Sequence, residues 1–313
     1  MKLSLANSSL CGFTQGPNPI HILDTVGAIR SCGFRYMDYC MAQYQIEENW
    51  QREADLFRAK LEEHGMTAHQ GHVPGLKPDP MSAECMGYYE RAMRFCRRAG
   101  IPMLVVHPVA VKGNTREEFF QRNMNFYRSL IPMAEEIGTE VLIENIGNYA
   151  DPFFLWNGGD LRRLVDMVDH PMFNACWDVG HANHYLKEDC DQYASIMALG
   201  EKLKAIHLQD NCGYFTDTRL HQRIDMHVMP FASSYCCVNF DAVLQGLVDV
   251  NYQGTFNFET DSPSRSRHRA PFVYKGEVVR KLERLSLDVW AAMNRGLYEI
   301  GKYMLETYGV FEE

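Results

Sequence analysis

The sequence has no apolar run approaching the roughly 18 residues that crossing a bilayer requires. After Met1 and Lys2, residues 3–6 are too short for the apolar core of a signal peptide. A cytoplasmic protein with no membrane partner is therefore expected. The chain also has no excess of positive charge: its 313 residues carry a formal net charge of -9. That balance removes the electrostatic footprint of a general nucleic-acid or anionic-membrane binder. No C-x-x-C occurs among the ten cysteines, which are scattered rather than clustered as in a small secreted disulfide scaffold. Most read as buried small hydrophobes, and the vicinal pair Cys236-Cys237 is the one to watch. No Gly- or Pro-rich run, low-complexity segment or linker interrupts the chain, so residues 1–313 read as one domain. With 46% hydrophobic residues, that domain can bury a real core.

Short apolar runs suited to buried strands alternate with longer amphipathic stretches at helical spacing. Such alternation argues for a parallel sheet. The candidate strands are residues 2–6, 33–38, 66–72, 103–107, 140–145, 173–178, 203–208 and 254–260. Asn18-Pro19 opens a helix ending near Ser31, with Gly33 as its stop. Helices over 46–64 and 81–99 stop at Gly65 and Gly100. The capping-box pattern Thr115-Arg-Glu-Glu118 opens another that stops at Gly138. Eight strands with intervening helices imply an α/β fold closed as a single (β/α)8 TIM barrel. An open doubly wound sheet would bring a glycine fingerprint after the first strand, where this chain has Ala6-Asn7-Ser8-Ser9. Residues 277–311 read mostly as helix. This extended C-terminal segment could cap the barrel or pack on a second copy in a homo-oligomer.

Most of these strands end in an ionisable residue or have one just after. The series is His72, His107, Glu144, Asp178 with His181, His207, then Asp225 and His227, and finally Glu259. In a barrel these positions converge on the face that carries the active site. A lone histidine there is most simply a satisfied loop residue, and a lone glutamate a helix cap. Together, carboxylates and imidazoles at one rim would repel or be poorly solvated unless a cation held them, so a bound divalent metal is expected.

The motifs "GHVPG", "VVHP", "LIENIGN", "CWDVGHANHY", "IHLQDN", "DMHVMPF" and "FNFET" occur in this order at barrel spacing. Through them the chain resembles the xylose isomerase-like barrels, which include sugar and sugar-phosphate isomerases and epimerases and the endonuclease IV type of abasic-site nuclease. The resemblance implies a metal core of Glu144, Asp178, His207 and Glu259. Three carboxylates and one imidazole suit Mn²⁺, the expected ion, or Mg²⁺, Co²⁺ or Zn²⁺. It also implies that Glu144 and Glu259 flank the substrate carbon as catalytic residues. One would remove a proton alpha to a carbonyl and the other return it on the opposite face, through a metal-stabilised enediolate. His72, His107, His181, His227 and Asp225 would then meet a small carbohydrate substrate.

"TAHQGHVPG" offers both His69 and His72. Positions three apart have opposite parity in a strand, and His72 matches the family's H-x-P ending, so His69 is assigned to packing. The basic stretch "SPSRSRHRAPFVYK" after the last strand offers Arg265, Arg267 and Arg269 as candidate anion-binding residues, against a solvated loop or subunit contact. Aromatics at 36–39 and 153–156, and Trp177, suit either sugar stacking or packing. Two other enzyme readings remain. One is a metal-dependent lyase or dehydratase acting on a sugar or carbon-linked glycoside. The other is a three-zinc nuclease, for which the chain has a candidate ligand at every such position. Against the nuclease, "WDVGHANHY" and "MHVMPF" resemble the sugar-enzyme branch, and the loops after strands two and three lack an obvious DNA-intercalating cluster.

Overall fold

The computed structural model describes residues 1–14, 19–74, 82–146, 154–183, 191–213, 226–261, 272–279 and 285–313. Eight strands form one closed, all-parallel barrel in chain order. They are β1 (Lys2–Ala6), β2 (Tyr36–Cys40), β3 (Thr67–His72), β4 (Met103–Val106), β5 (Glu140–Glu144), β6 (Phe173–Asp178), β7 (Leu203–Leu208) and β8 (Thr255–Phe258). The barrel closes where Lys2 to Leu5 lie opposite Thr255 to Phe258. The helices are α1 (Cys11–Thr14), α2 (Thr25–Ser31), α3 (Trp50–His64), α4 (Ala83–Ala99), α5 (Arg116–Ile137), α6 (Gly158–Val168), α7 (Val179–Asn183), α8 (Gln192–Leu199), α9 (Phe240–Asp249) and α10 (Leu287–Thr307). Among the described residues, no helix is long and apolar enough to cross a membrane.

The main core lies between strands and helices. The capping box expected at Thr115 is present: Thr115 Oγ1 accepts from the Glu118 N–H at 3.3 Å and Glu118 Oε2 accepts from the Thr115 N–H at 2.8 Å. Several boundaries differ from expectation. β2 begins at Tyr36 opposite Ser4, because Gly33, at φ +108°, first turns the chain out of α2. The aromatics Tyr36 and Tyr39 thus lie within β2, and Tyr39 is core, stacked on Phe57 at 3.7 Å. α2 begins only at Thr25, after a 3-10 turn Ile22–Asp24 capped by His21. α3 likewise begins at Trp50, after a 3-10 turn Gln43–Ile46.

The C-terminal segment is only partly helix. Phe272–Tyr274 and Glu277–Val279 form an antiparallel hairpin, β9 and β10, around Lys275 and Gly276 at φ 51° and 81°. Two consecutive positive-φ residues match the twist of a tight hairpin, and that local turn prevails over helical spacing. α10 packs on α2 and β1 and so closes the helical layer. Trp290 donates to the Ser9 carbonyl at 3.1 Å.

The β2–β3 register shifts between Met37 and Asp38, so that Ala68 pairs with Met37 but Gln70 with Asp38. His69 is the extra residue. It lines a cavity with Met103, Leu203 and Lys204 at the ends of the strands opposite the site face. The bulge falls at His69 itself, which lies remote from the site, while His72 reaches it. Burial, with Lys2 nearby, lowers its pKa to about 4. Between that value and the ordinary imidazole pKa the unfolded chain binds the extra proton, so stability rises with pH across this window. We expect wild-type stability to fall by about 1–3 kcal/mol on acidification through pH 6.5 to 4. Chemical denaturation of His69→Gln should show a smaller loss over that window.

Candidate metal centre

Met103 and Val105 of β4, Leu142 of β5, Cys176 of β6 and Ala205 of β7 form a small apolar cluster apart from the main core. These alternate residues fill the lumen. Two positions further along each strand direction, the same inward face presents His107, Glu144, Asp178 and His207. Glu259 follows β8, its N–H bonded to the Leu208 carbonyl at 3.0 Å. All four of Glu144, Asp178, His207 and Glu259 are buried, and one ligand atom from each lies within 4.8 Å of the others.

His207 Nδ1 stands 3.0 Å from both Glu144 Oε1 and Glu259 Oε2. Its Nε2 is 2.7 Å from Gln70 Nε2 and 3.4 Å from Asp38 Oδ2. With its proton on Nδ1 toward the carboxylates, the ring accepts from Gln70 at Nε2; with Nδ1 free to bind a cation, Nε2 carries the proton and the Gln70 amide, whose Oε1 has no other partner, would turn over to accept it. Asp38, fully buried, lies on that same side of the ring, with Oδ2 3.4 Å from His207 Nε2. Burial pushes its carboxyl up, opposed by His207 and His72.

Asp178 is held by neutral groups. Its backbone N–H donates to Asn145 Oδ1 at 2.7 Å, and Asn145 Nδ2 donates to the Asp178 carbonyl at 2.8 Å. Its Oδ1 accepts from the His181 N–H at 2.7 Å, and both carboxylate oxygens accept from Gln209 Nε2 at 3.2 Å. Gln209 also accepts from the His227 N–H at 3.1 Å. His227 sits at φ +42°, uncommon for a non-glycine residue, with Nδ1 2.9 Å from the Glu259 carbonyl. His181 Nδ1 likewise faces the Asn145 carbonyl at 2.9 Å. Gly180 makes this possible, because a Cβ there would meet the Gln209 side chain at 2.3 Å.

The electrostatics fit a cation. Burial raises the Glu144 pKa, but His207, His107 and His72 together hold its carboxyl well below the usual range. Burial likewise opposes ionisation of Glu259, yet His207 and His227 lower it to about 2. Asp178 is pushed up by burial despite His181 and His227. Burial disfavours charge on His207, while Cys176, Glu259 and Glu144 raise its pKa well above the ordinary value. Protonated imidazole is thus the balancing charge, a role a divalent cation among the four residues would take over. Oε2 of Glu144 faces His107 Nε2 and Oε2 of Glu259 faces His207 Nδ1, each at 3.0 Å, so imidazoles stand against the charge that a cation would neutralise. The donor set suits Mn²⁺, Mg²⁺, Co²⁺ or Zn²⁺.

A second group adjoins the first. His72 Nε2 and His107 Nε2 are 2.8 Å apart, with Glu144 Oε2 at 3.4 Å and 3.0 Å from them. Cys40 Sγ lies 3.9 Å from His72 Nδ1, and Asp38, Cys40 and His72 form a third set of clustered donors. Asp225, Arg265, Arg267 and Arg269 lie outside the described residues. Trp177 is core rather than a sugar platform, fully buried with Nε1 donating to Gln192 at 3.0 Å. Asp38, Gln70, Asn145 and Gln209 were not among the candidates. Asn145 and Gln209 directly follow strand ends inside the motifs "LIENIGN" and "IHLQDN", the one signal that marked them.

A family model described as xylose isomerase-like TIM barrel matches residues 26–279. Probable endonuclease 4 of Citrifermentans bemidjiense is 27% identical over 173 residues, 51% of this chain and 61% of that protein. The match thus spans less than two thirds of that relative's length. The structure of D-psicose 3-epimerase with D-fructose superposes at TM-score 0.71 and 13% identity, over 97% of this chain and 99% of that one. The zinc-bound structure of the IOLI protein gives TM-score 0.71 at 14% identity over 100% of both chains. Replacing Gly180 by Ala should weaken metal binding by about 10- to 100-fold through displaced Gln209, as loss of outer-shell support does. Titration against a competing chelator checks this, with circular dichroism to establish an intact barrel.

Proposed function

Because the chain belongs to the xylose isomerase-like TIM barrel family, we propose that it is a divalent-metal-dependent isomerase or epimerase acting on a sugar or sugar derivative. The observation that carries this reading is the placement of two buried glutamates from different strands, each 3.0 Å from His207 Nδ1. A single base can remove and return a proton only on one face of a carbon. Inversion takes two groups, and Glu144 at the end of β5 with Glu259 after β8 supplies them.

Glu144 takes the proton alpha to the substrate carbonyl and Glu259 delivers one to the opposite face, the roles exchanging in the reverse direction. Both are ionised at neutral pH because neighbouring imidazoles outweigh their burial. Glu144, Asp178, His207 and Glu259 would hold the cation, which when bound supplies Lewis-acid polarisation of the carbonyl. His181 and His227, positioned by the carbonyls of Asn145 and Glu259, orient the substrate hydroxyls. Burial of the carboxylates keeps water from the reacting carbon. The likeness to a psicose epimerase supports the sugar class, and the zinc of the IOLI protein supports a metal.

Metal-loaded protein should exchange the alpha proton of a ketose or substituted ketose with deuterium, read by NMR. Glu144→Gln and Glu259→Gln should each lower epimerisation by about 10²–10⁴-fold. Absence of exchange with any free, phosphorylated or substituted ketose would overturn the reading. The cluster of His72, His107 and Glu144, with the endonuclease 4 relatives, favours a second reading as a zinc phosphodiesterase. Two or three Zn²⁺ per chain, by elemental analysis, together with cleavage of abasic-site DNA, would put it first.

A further inference from the structure

We propose, resting on the isomerase reading above, that the pocket between the segments following β1 and β2 receives an apolar, non-sugar substituent of the substrate. The substrate class is then a sugar bearing an aromatic or similarly flat apolar group, rather than a free or phosphorylated sugar.

The pocket measures about 580 Å³, within the roughly 300–1,000 Å³ of sites that take drug-sized ligands. Its apolar wall comes from Cys11 of α1, from Ile20 and Ile22, and from Met41, Ala42 and Tyr44 after β2. None of the described residues lining it is Lys, Arg, Asp or Glu. A phosphate seated here would lose hydration without a Lys or Arg counter-charge; Asn7, Ser8, Thr14 and His21 supply a polar edge, and the apolar remainder of the wall offers hydroxyls no partner. An aromatic ring gains from the same burial.

The wall is preformed. The Cys40 N–H donates to Asn7 Oδ1 at 2.6 Å and Asn7 Nδ2 donates to the Cys40 carbonyl at 3.3 Å, tying the two segments together. The Ile20 N–H bonds the Phe13 carbonyl at 3.0 Å, and Ile20 and Ile22 pack against the core. The Ala42 N–H donates to buried Gln45 at 3.1 Å.

The pocket adjoins the metal centre through Cys40. Cys40, one of its lining residues, places Sγ 3.9 Å from His72 Nδ1, which is 3.8 Å from Glu259 Oε1. A sugar reacting between the two glutamates therefore points a substituent on its β1–β2 side into this space. The metal cluster binds the reacting end and the pocket binds what the sugar carries.

The test is calorimetric titration of the metal-loaded protein with matched phenyl and methyl glycosides of D-glucose and D-galactose, in both anomers. At least one phenyl glycoside should bind about tenfold or more tightly than its methyl partner. Ala42→Trp, which fills the pocket, and Ile22→Asn, which makes it polar, should each abolish that preference at unchanged metal content. Equal affinity within every pair, or a preference that survives both variants, overturns the proposal. Deuterium exchange on sugars without a phenyl preference would overturn the pocket assignment alone. A phenyl preference lost in both variants, with no exchange on any sugar, would uphold the pocket and overturn the isomerase reading.

Discussion

Three carboxylates cannot stay ionised in one dry barrel mouth without compensating positive charge, and much of the architecture around the mouth answers that demand. Glu144, Asp178 and Glu259 meet there because inward-facing residues recur every second position and the strands are closed into a ring. Compensation comes from His207, whose ring faces two of the carboxylates through Nδ1. Neutral amides then fix geometry without adding charge: Gln70 against His207, Asn145 and Gln209 against Asp178. Gly180 leaves the space Gln209 needs, so even a missing side chain belongs to the same balance.

The barrel divides its mouth by chemistry. β5 to β8 and the residue after β8 carry the four clustered metal-ligand candidates, the ends of β3 and β4 carry the paired histidines, and the segments after β1 and β2 carry a largely apolar wall. Cys40 and His72 stand where these sectors meet. A cation site and an apolar pocket tolerate each other poorly in a flat surface, but a ring of eight strands separates them by angle while keeping them within one ligand's length.

Much of this was legible in the sequence. Residues 2–6, 173–178 and 203–208 matched β1, β6 and β7 because apolar runs ended at clear polar boundaries. Strand-end position marked the wider ionisable series, and the resemblance to the xylose isomerase-like barrels picked Glu144, Asp178, His207 and Glu259 out of it, the four that the fold gathers. The start of β2 was not, since Phe34 is as apolar as the paired residues although pairing begins only at Tyr36. The bulge at His69 left no mark in the alternation of residue types, because an extra residue only shows against the partner strand. The hairpin at Lys275 and Gly276 was hidden by residues that also suit a helix. Gln70, Asn145 and Gln209 are uncharged, and their importance arises only from what the fold places beside them.

The seam between β1 and β8 joins Lys2 to Thr255, and so sets the order in which a nascent chain can acquire its site. β1 has only β2 to pair with until nearly the whole chain has been made, and closing so long a loop is entropically slow. Glu259 arrives with the closing strand, so the ligand set is incomplete in any unclosed intermediate. A cation held among Glu144, Asp178, His207 and Glu259 would favour the closed ring by mass action, and metal supply would then bear on folding yield.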